Sequence, residues 1–176
     1  MFRLFFALKP PPRVARQVDH FAEQLGPDAD RVAIDRQHVT MGITPDYGDY
    51  PYAQIKALTR AATAVAAEPF DLLLDRLSLS GRSAALRPSS SSPPIRALHR
   101  RLSEEMRRGR VAARPGWSFS PHQTLFYRNG APDQRAIEGF GWHVEEFVLV
   151  CSHVGRTRHQ IIGRWPLTGD GQYELF

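Results

Sequence analysis

The sequence predicts an α+β fold on a mainly antiparallel sheet, and three observations carry that expectation. Short runs of alternating apolar residues are interleaved with longer runs whose apolar residues recur every three or four positions. The connections vary in length and lack the regular strand–helix–strand beat of a parallel sheet. Each half of the chain also holds one copy of the same pattern, His-x-Thr-apolar, inside a strand-like run. The 176 residues suit a single domain, 1–176, made of two lobes that each contribute one copy. With 42% hydrophobic and 23% charged residues, the chain can bury a core and is not built to be disordered.

Taken in order, Arg3 to Leu8 reads as the first strand, stopped by Pro10, Pro11 and Pro12, which have no N–H to donate to a ladder. A helix fits Val14 to Leu25, with Val14, Val18, Phe21 and Leu25 on one face and Gly26 just beyond. Ile34 to Thr44 reads as a strand, and Pro51 to Ala67 as a helix burying Ile55, Leu58, Ala62 and Val65. Phe70 to Leu79 and Ala84 to Arg87 form a strand pair joined at Ser80-Gly81-Arg82. The serine-rich stretch Pro88 to Pro94 is a loop that ends at a helix start, with Ser92 as N-cap and Pro93 at the first helical position. That helix, Pro93 to Arg108, buries Ile95, Leu98, Leu102 and Met106. Strands are expected at Ser118 to Tyr127, Glu145 to Ser152 and Thr157 to Trp165, with a short helix over Asp133 to Phe140.

Several functions are excluded or disfavoured early. No apolar stretch approaches the roughly 18 residues needed to cross a bilayer, so no membrane role is expected. The start resembles a signal peptide only superficially, because its apolar run is Leu4 to Leu8 and prolines occupy the place of a cleavage site. Cys151 is the single cysteine, which forbids an intrachain disulfide and suits a cytoplasmic protein. Cys151-x-His153 offers two metal ligands with no second pair at suitable spacing, so no metal is expected. The GxxxxGK(S/T) phosphate loop of triphosphate-driven ligases is absent.

The net charge of +5 is unevenly placed. Residues 82–114 hold nine arginines against Glu104 and Glu105, whereas each flanking region is close to neutral. Arg100, Arg101, Arg107 and Arg108 recur at helical spacing and cannot all face the helix's apolar stripe. Two readings stand: the segment tracks a phosphate backbone, or it is a solvated helix face in a chain that uses 21 Arg to 2 Lys.

The chemistry concentrates in His38-Val39-Thr40-Met41 and His122-Gln123-Thr124-Leu125. On a strand, alternate side chains share a face, so His38 and Thr40 project together while Val39, Met41 and Ile43 turn to the core. His122, Thr124 and Phe126 are expected to share a face in the same way. Two imidazoles and two hydroxyls can surround one phosphate. Cleaving a cyclic phosphodiester needs a base to activate water and an acid to protonate the departing sugar oxygen. Histidine serves either role near neutral pH, and the threonine hydroxyls donate to the non-bridging oxygens.

These residues resemble the 2H phosphoesterases, and within them the RNA 2′,3′-cyclic phosphodiesterase (2′–5′ RNA ligase) family. The resemblance runs over most of the chain. It includes Arg3-Leu4-Phe5-Phe6-Ala7-Leu8 followed by prolines, His38-Val39-Thr40-Met41-Gly42, Phe119-Ser120-Pro121-His122-Gln123-Thr124-Leu125 and Gly163-Arg164-Trp165-Pro166-Leu167. It implies a two-lobed fold with antiparallel sheets flanking a central cleft and helices outside. It implies hydrolysis of RNA 2′,3′-cyclic ends to 2′-phosphomonoesters without a cofactor, with reversible 2′–5′ ligation. By position, His122 activates the water, His38 protonates the leaving 3′-oxygen, and Thr40 and Thr124 bind the phosphate. The implied partners are RNA ends or small cyclic nucleotides, met by a monomer.

Phe5, Phe126, Arg128 and His159 are further candidates for substrate contact. One of Phe5, Phe126 and Tyr127 is expected to stack on a base, with at least two in the core. Arg128 stands one place later than the arginine of the family pattern. Gln123, where that pattern has an apolar residue, predicts a less buried second strand. Two alternatives stay open: another cyclic or 2′–5′ linked nucleotide as substrate, or a non-catalytic protein that binds RNA ends.

Overall fold

The computed structural model describes residues 1–90 and 92–169. Their elements in chain order are β1 (Phe2–Leu8), α1 (Pro12–Leu25), β2 (Asp30–Arg31), a 3₁₀ turn (Ile34–Arg36), β3 (Val39–Tyr47), α2 (Tyr52–Ala64), β4 (Phe70–Leu79) and β5 (Ser83–Arg87). There follow α3 (Pro93–Arg108), β6 (Gln123–Tyr127), β7 (Asp133–Val144), β8 (Glu146–His153) and β9 (Arg158–Pro166). The sheet runs β7-β4-β5-β6-β3-β1-β8-β9, with β2 added on β6, and every pairing is antiparallel. Among the described residues the fold is α+β, with an open antiparallel sheet and three α-helices.

That order divides into two four-stranded halves, β7-β4-β5-β6 and β3-β1-β8-β9, joined among the described residues by a single register pair, Val39 opposite Gln123. Helix α1 leaves one half and packs on the other, and α3 bridges the two. Helix α1 follows β1 yet lies on β6 and β7, while α3 follows β5 and lies on β3 and β4. Their apolar stripes explain why. Val14, Ala15, Val18 and Ala22 of α1 are buried, as are Ile95, Leu98, Leu102 and Met106 of α3. The main core lies under these helices, with Leu4, Phe6, Leu8, Met41, Leu74, Leu86 and Phe147 at its centre. A smaller apolar cluster of Phe5, Ala7, Val148 and Val150 lies on the other face of β1 and β8.

Four local expectations are corrected. Asp133 to Phe140 is not a helix but the first part of β7, which pairs with β4 through nine residue pairs. Most of that stretch is exposed, so no alternation of burial marks it as a strand in the sequence. Gly139 holds φ +97° where the ladder is irregular beside Asp75, and a Cβ there would lie 3.0 Å from the Asp75 backbone. Ile34 to Arg36 is a 3₁₀ turn rather than strand, and α2 ends at Ala64 rather than Ala67. Ser92 sits at the N-cap of α3 without a side-chain cap bond. Pro94 at the second helical position has no N–H to offer it. Within the serine-rich loop, Ser91 lies outside the described residues, while Ser89 donates its N–H and hydroxyl to the Asp75 carboxylate, each at 2.7 Å.

Gln123 is also a correction, because it is fully buried. Its Nε2 donates to Gln37 Oε1 at 3.1 Å, and Gln37 Nε2 donates to the Ala15 carbonyl of α1 at 3.0 Å. A polar residue is tolerated there because its partner arrives from the opposite half of the sheet. Replacing Gln37 with alanine strands the Gln123 amide, so Gln37→Ala should lose about 1–3 kcal/mol of unfolding free energy. Urea unfolding measures it, and a loss below about 0.5 kcal/mol, the usual span of neutral surface changes, would contradict the role.

Candidate active site

His38 and His122 each sit one residue ahead of a strand, β3 and β6, and those strands meet at Val39 and Gln123. Val39 and Gln123 turn inward and are fully buried, so their flanking side chains emerge on the other face. Continuing the antiparallel register by one residue sets His38 across from Thr124 and Thr40 across from His122. All four line one cleft of about 260 Å³.

Both strands then break step at the same point of the motif. In β3 the pairing with β1 skips Met41, and in β6 the pairing with β5 skips Leu125. A bulge places two residues opposite one and reverses the faces beyond it. Ile43 and Tyr127, each five residues after its histidine, therefore return to the cleft. Gly42 and Phe126 turn towards the helices instead, Gly42 against Met106 of α3 and Phe126 against Gly26 at the end of α1.

This one device accounts for three misplaced expectations. Ile43 lines the cleft rather than the main core. Phe126 is 2% exposed in the core and is absent from the cleft wall. Arg128 does not line the cleft either, and its guanidinium lies 5.8 Å from the centroid of the Phe126 ring. Phe5 and His159 do line it. Phe5 lies 4.8 Å from the His38 ring and 5.3 Å from His159, and His38 and His159 are 5.5 Å apart edge to face. The exposed aromatic of the cleft is Tyr127.

The two imidazoles are oriented alike. His38 Nδ1 lies 2.7 Å from the Arg36 carbonyl, and His122 Nδ1 lies 2.8 Å from the Ser120 carbonyl, two residues back in each case. A carbonyl only accepts, so each Nδ1 carries the proton and each Nε2 is the nitrogen left for chemistry. Both carbonyls are braced. Lys9 Nζ donates to the Asp35 and Gln37 carbonyls at 2.6 and 3.3 Å, fixing the turn around Arg36. Arg87 Nη1 donates to Ser120 Oγ at 2.8 Å.

Sequence reasoning missed Arg36, Arg3 and Ser152, which also line the cleft. Arg3 is held by Asp46 through Nε at 2.6 Å and Nη2 at 2.8 Å, and Arg114 adds a third contact at 2.9 Å. The hydrogen bond from Arg3 leads the causes that hold the Asp46 carboxyl down to about 2. Arg36 has no ion pair among the described residues and brings a free guanidinium beside the histidines. Its cue was faint, since only its place two residues before His38 set it apart. Among the described residues no three His, Cys, Asp or Glu side chains gather to hold a metal, and Cys151 is buried.

The match beyond this chain agrees with the geometry. The sequence pattern of the 2'-5' RNA ligase superfamily matches residues 10–156. The chain belongs to that family. This is the 2H phosphoesterase group that the two motifs resemble, a family of phosphodiesterase- and ligase-type enzymes, and the chain is an enzyme of that broad type. It is similar to E. coli LigT, 25% identical in the crystal structure with ATP, with a TM-score of 0.74 over 94% of this chain and 98% of that one. LigT with phosphate is 26% identical, with a TM-score of 0.73 over 94% and 97%. TT0787 of Thermus thermophilus shares the fold at 21% identity, with a TM-score of 0.76 over 96% and 100%. No curated protein matches the chain by sequence.

In this 2H phosphoesterase burial in the cleft favours neutral imidazoles. Burial leads the causes that push His38 down to about 4, helped by the charges of His159 and Lys9. His159 is pushed down to about 4 by burial, then by Lys9 and Arg36, and burial also lowers His122. The sign for stability follows. An unfolded histidine takes up its proton near pH 6.5 while these stay neutral, so stability is full above 6.5 and falls as pH drops towards 4. His159→Phe keeps a ring against Phe5 and removes one titrating group, so its stability should fall less steeply over that window. Urea unfolding at intervals from pH 7 to 4 checks this, and an unchanged slope would contradict it.

Proposed function

We propose that this 2H phosphoesterase hydrolyses 2′,3′-cyclic phosphodiester ends of RNA to 2′-phosphomonoesters, with His122 as general base and His38 as general acid. One observation carries the reading: both histidines line a single cleft with Nδ1 tied to the backbone, leaving two Nε2 atoms for one phosphate. The two lobes of residues 1–176 act as one domain. A monomer suffices, because one chain supplies every residue that lines the cleft.

The cyclic phosphate sits between the motifs, with the Thr40 and Thr124 hydroxyls and the Arg36 guanidinium on its non-bridging oxygens. Its negative charge raises the pKa of the neighbouring imidazoles and loads His38 with a proton, reversing the effect of burial. His122 Nε2 takes a proton from water as the oxygen attacks phosphorus. His38 Nε2 gives its proton to the 3′-oxygen as the P–O3′ bond breaks, and the 2′-phosphate remains. The two imidazoles end with exchanged protonation states, restored through solvent. The charge that develops on the non-bridging oxygens is met by these hydroxyl and guanidinium donors. A 5′-hydroxyl of a second RNA in place of water gives a 2′–5′ linkage by the same proton transfers. Phe5 and His159 wall the His38 side, and Tyr127 offers a ring to the base.

The test is turnover of cyclic mononucleotides and cyclic-ended oligomers with EDTA present. His38→Ala and His122→Ala should each lose about 10²- to 10⁴-fold in kcat, the range for general acid or base help. Thr40→Ala and Thr124→Ala should cost less than either histidine. Activity near wild type in a folded His38→Ala or His122→Ala protein, or loss of all activity in EDTA, would overturn the mechanism.

A further inference from the structure

Beyond Val39 the edge of β3 has no partner in β6, and the two halves of the sheet diverge. The C-terminal end of α3 and the segment after it close over that edge, with the Arg114 N–H donating to the Ile43 carbonyl at 2.8 Å. Between them lies a second cavity of about 400 Å³, within the roughly 300–1,000 Å³ usual for small-ligand sites. Met106, Val111 and Trp117 give it apolar walls, and Arg107 and Arg110 stand on it. Ile43 belongs to both this cavity and the histidine cleft, so the two spaces adjoin.

Its cations are not engaged elsewhere. Arg108 is paired with Glu105, whereas Arg107 and Arg110 have no ion pair among the described residues. Trp117 is held edge to face against His99 at 5.9 Å, and His99 in turn lies 2.7 Å from the Met41 carbonyl through Nδ1.

Arg110 is the more telling residue. Helix α3 ends with Val111 N–H on the Met106 carbonyl and Arg110 N–H on the Arg107 carbonyl, each at 3.0 Å. That pair of bonds requires a left-handed residue at position 110, a place that favours glycine, yet Arg110 occupies it with φ +56°. Glycine would fill the turn without strain. The arginine therefore costs the fold something and brings a guanidinium to the cavity wall.

We propose that this cavity is a subsite for the nucleotide adjoining the one whose phosphate sits between the histidines. Its base lies against Trp117, Met106 and Val111, and the phosphate that links it to the terminal nucleotide lies on Arg110 and Arg107. A flat apolar group joined to an anion is what apolar walls with unpaired guanidiniums recognise, and stacking on an indole serves any base. The subsite rests on the phosphodiesterase reading for the phosphate next door. It makes the enzyme one for RNA ends rather than for free cyclic mononucleotides, and it gives part of the arginine-rich segment a definite task.

Calorimetric titration of the full chain tests it with two probes that are not turned over: a nucleoside 2′-monophosphate, and a dinucleotide ending in the same 2′-phosphate. The dinucleotide should bind about tenfold tighter or more, the scale of one base stack. Arg110→Gly and Trp117→Ala should each remove most of that advantage and leave the mononucleotide affinity within about twofold. Arg110→Gly should also melt at the same temperature as wild type or higher, which separates lost binding from damaged folding. In that variant the plot of log Kd against log salt should flatten by about 0.7, the share of one phosphate contact on a single strand. Equal affinity for the two probes, or an advantage that survives Arg110→Gly, overturns the subsite. Turnover of a cyclic-ended RNA oligomer is scored separately. Its absence would end the phosphodiesterase reading, while an advantage abolished by Arg110→Gly would still support the subsite.

Discussion

The four motif side chains reach one cleft because Val39 and Gln123 stand opposite each other, the only described residues through which β3 and β6 pair. With those two buried, period-2 geometry delivers His38, Thr40, His122 and Thr124 to the opposite face. The pairing is short, and other contacts hold it. The Gln123–Gln37–Ala15 chain of hydrogen bonds runs from one half of the sheet through the other's first motif to α1. Helix α1, coming from β1, packs on β6 and β7, and α3 spans β3 and β4, so both helices tie the halves together. A slip of one residue here would turn the histidine of the slipped strand into the core, so the buried amides specify register as well as contributing stability.

Past that junction, the matched bulges at Met41 and Leu125 let the halves diverge and form a concave wall. The same geometry has two consequences for chemistry. It brings two imidazoles and two hydroxyls to one cleft, and it leaves the β3 edge beside a second cavity. Orientation comes from the backbone. A lysine and an arginine brace the segments whose carbonyls fix the two Nδ1 protons, so the Nε2 atoms are aimed before any ligand arrives. Burial favours the neutral form of His38, and on the proposed mechanism the charge of a bound phosphate would reverse that.

Much of this was legible in the sequence because repeated polar residues on strand-like runs admit few explanations. The motif pairs, the long amphipathic helices and the mainly antiparallel class all rest on periodicity. The bulges were not legible, because skipping Met41 or Leu125 is decided by pairing with β1 and β5, far away in the chain. Phe126, Arg128 and Ile43 were misplaced for that reason, while Tyr127, one of the three aromatics weighed for stacking, is brought to the cleft. The β7 strand was hidden by its exposure, which leaves only a partner strand to define it. Gln123 looked like a sign of solvent because its partner, Gln37, is 86 residues away. Arg36 and Arg110 carry no local mark beyond an ordinary arginine. What distinguishes them is a cleft and a left-handed turn.

The central claim is that the backbone fixes the His38 and His122 imidazoles as Nδ1–H tautomers, and that a bound phosphate turns one of them into the proposed acid. Nitrogen-15 NMR of labelled histidines, read at neutral pH without ligand and then with a nucleoside 2′-monophosphate, tests it directly. The account predicts that His38 and His122 carry their single proton on Nδ1 in the free protein, and that one becomes doubly protonated when the ligand binds. Free imidazoles protonated on Nε2, or a pair whose protonation is unmoved by the phosphate, would contradict it.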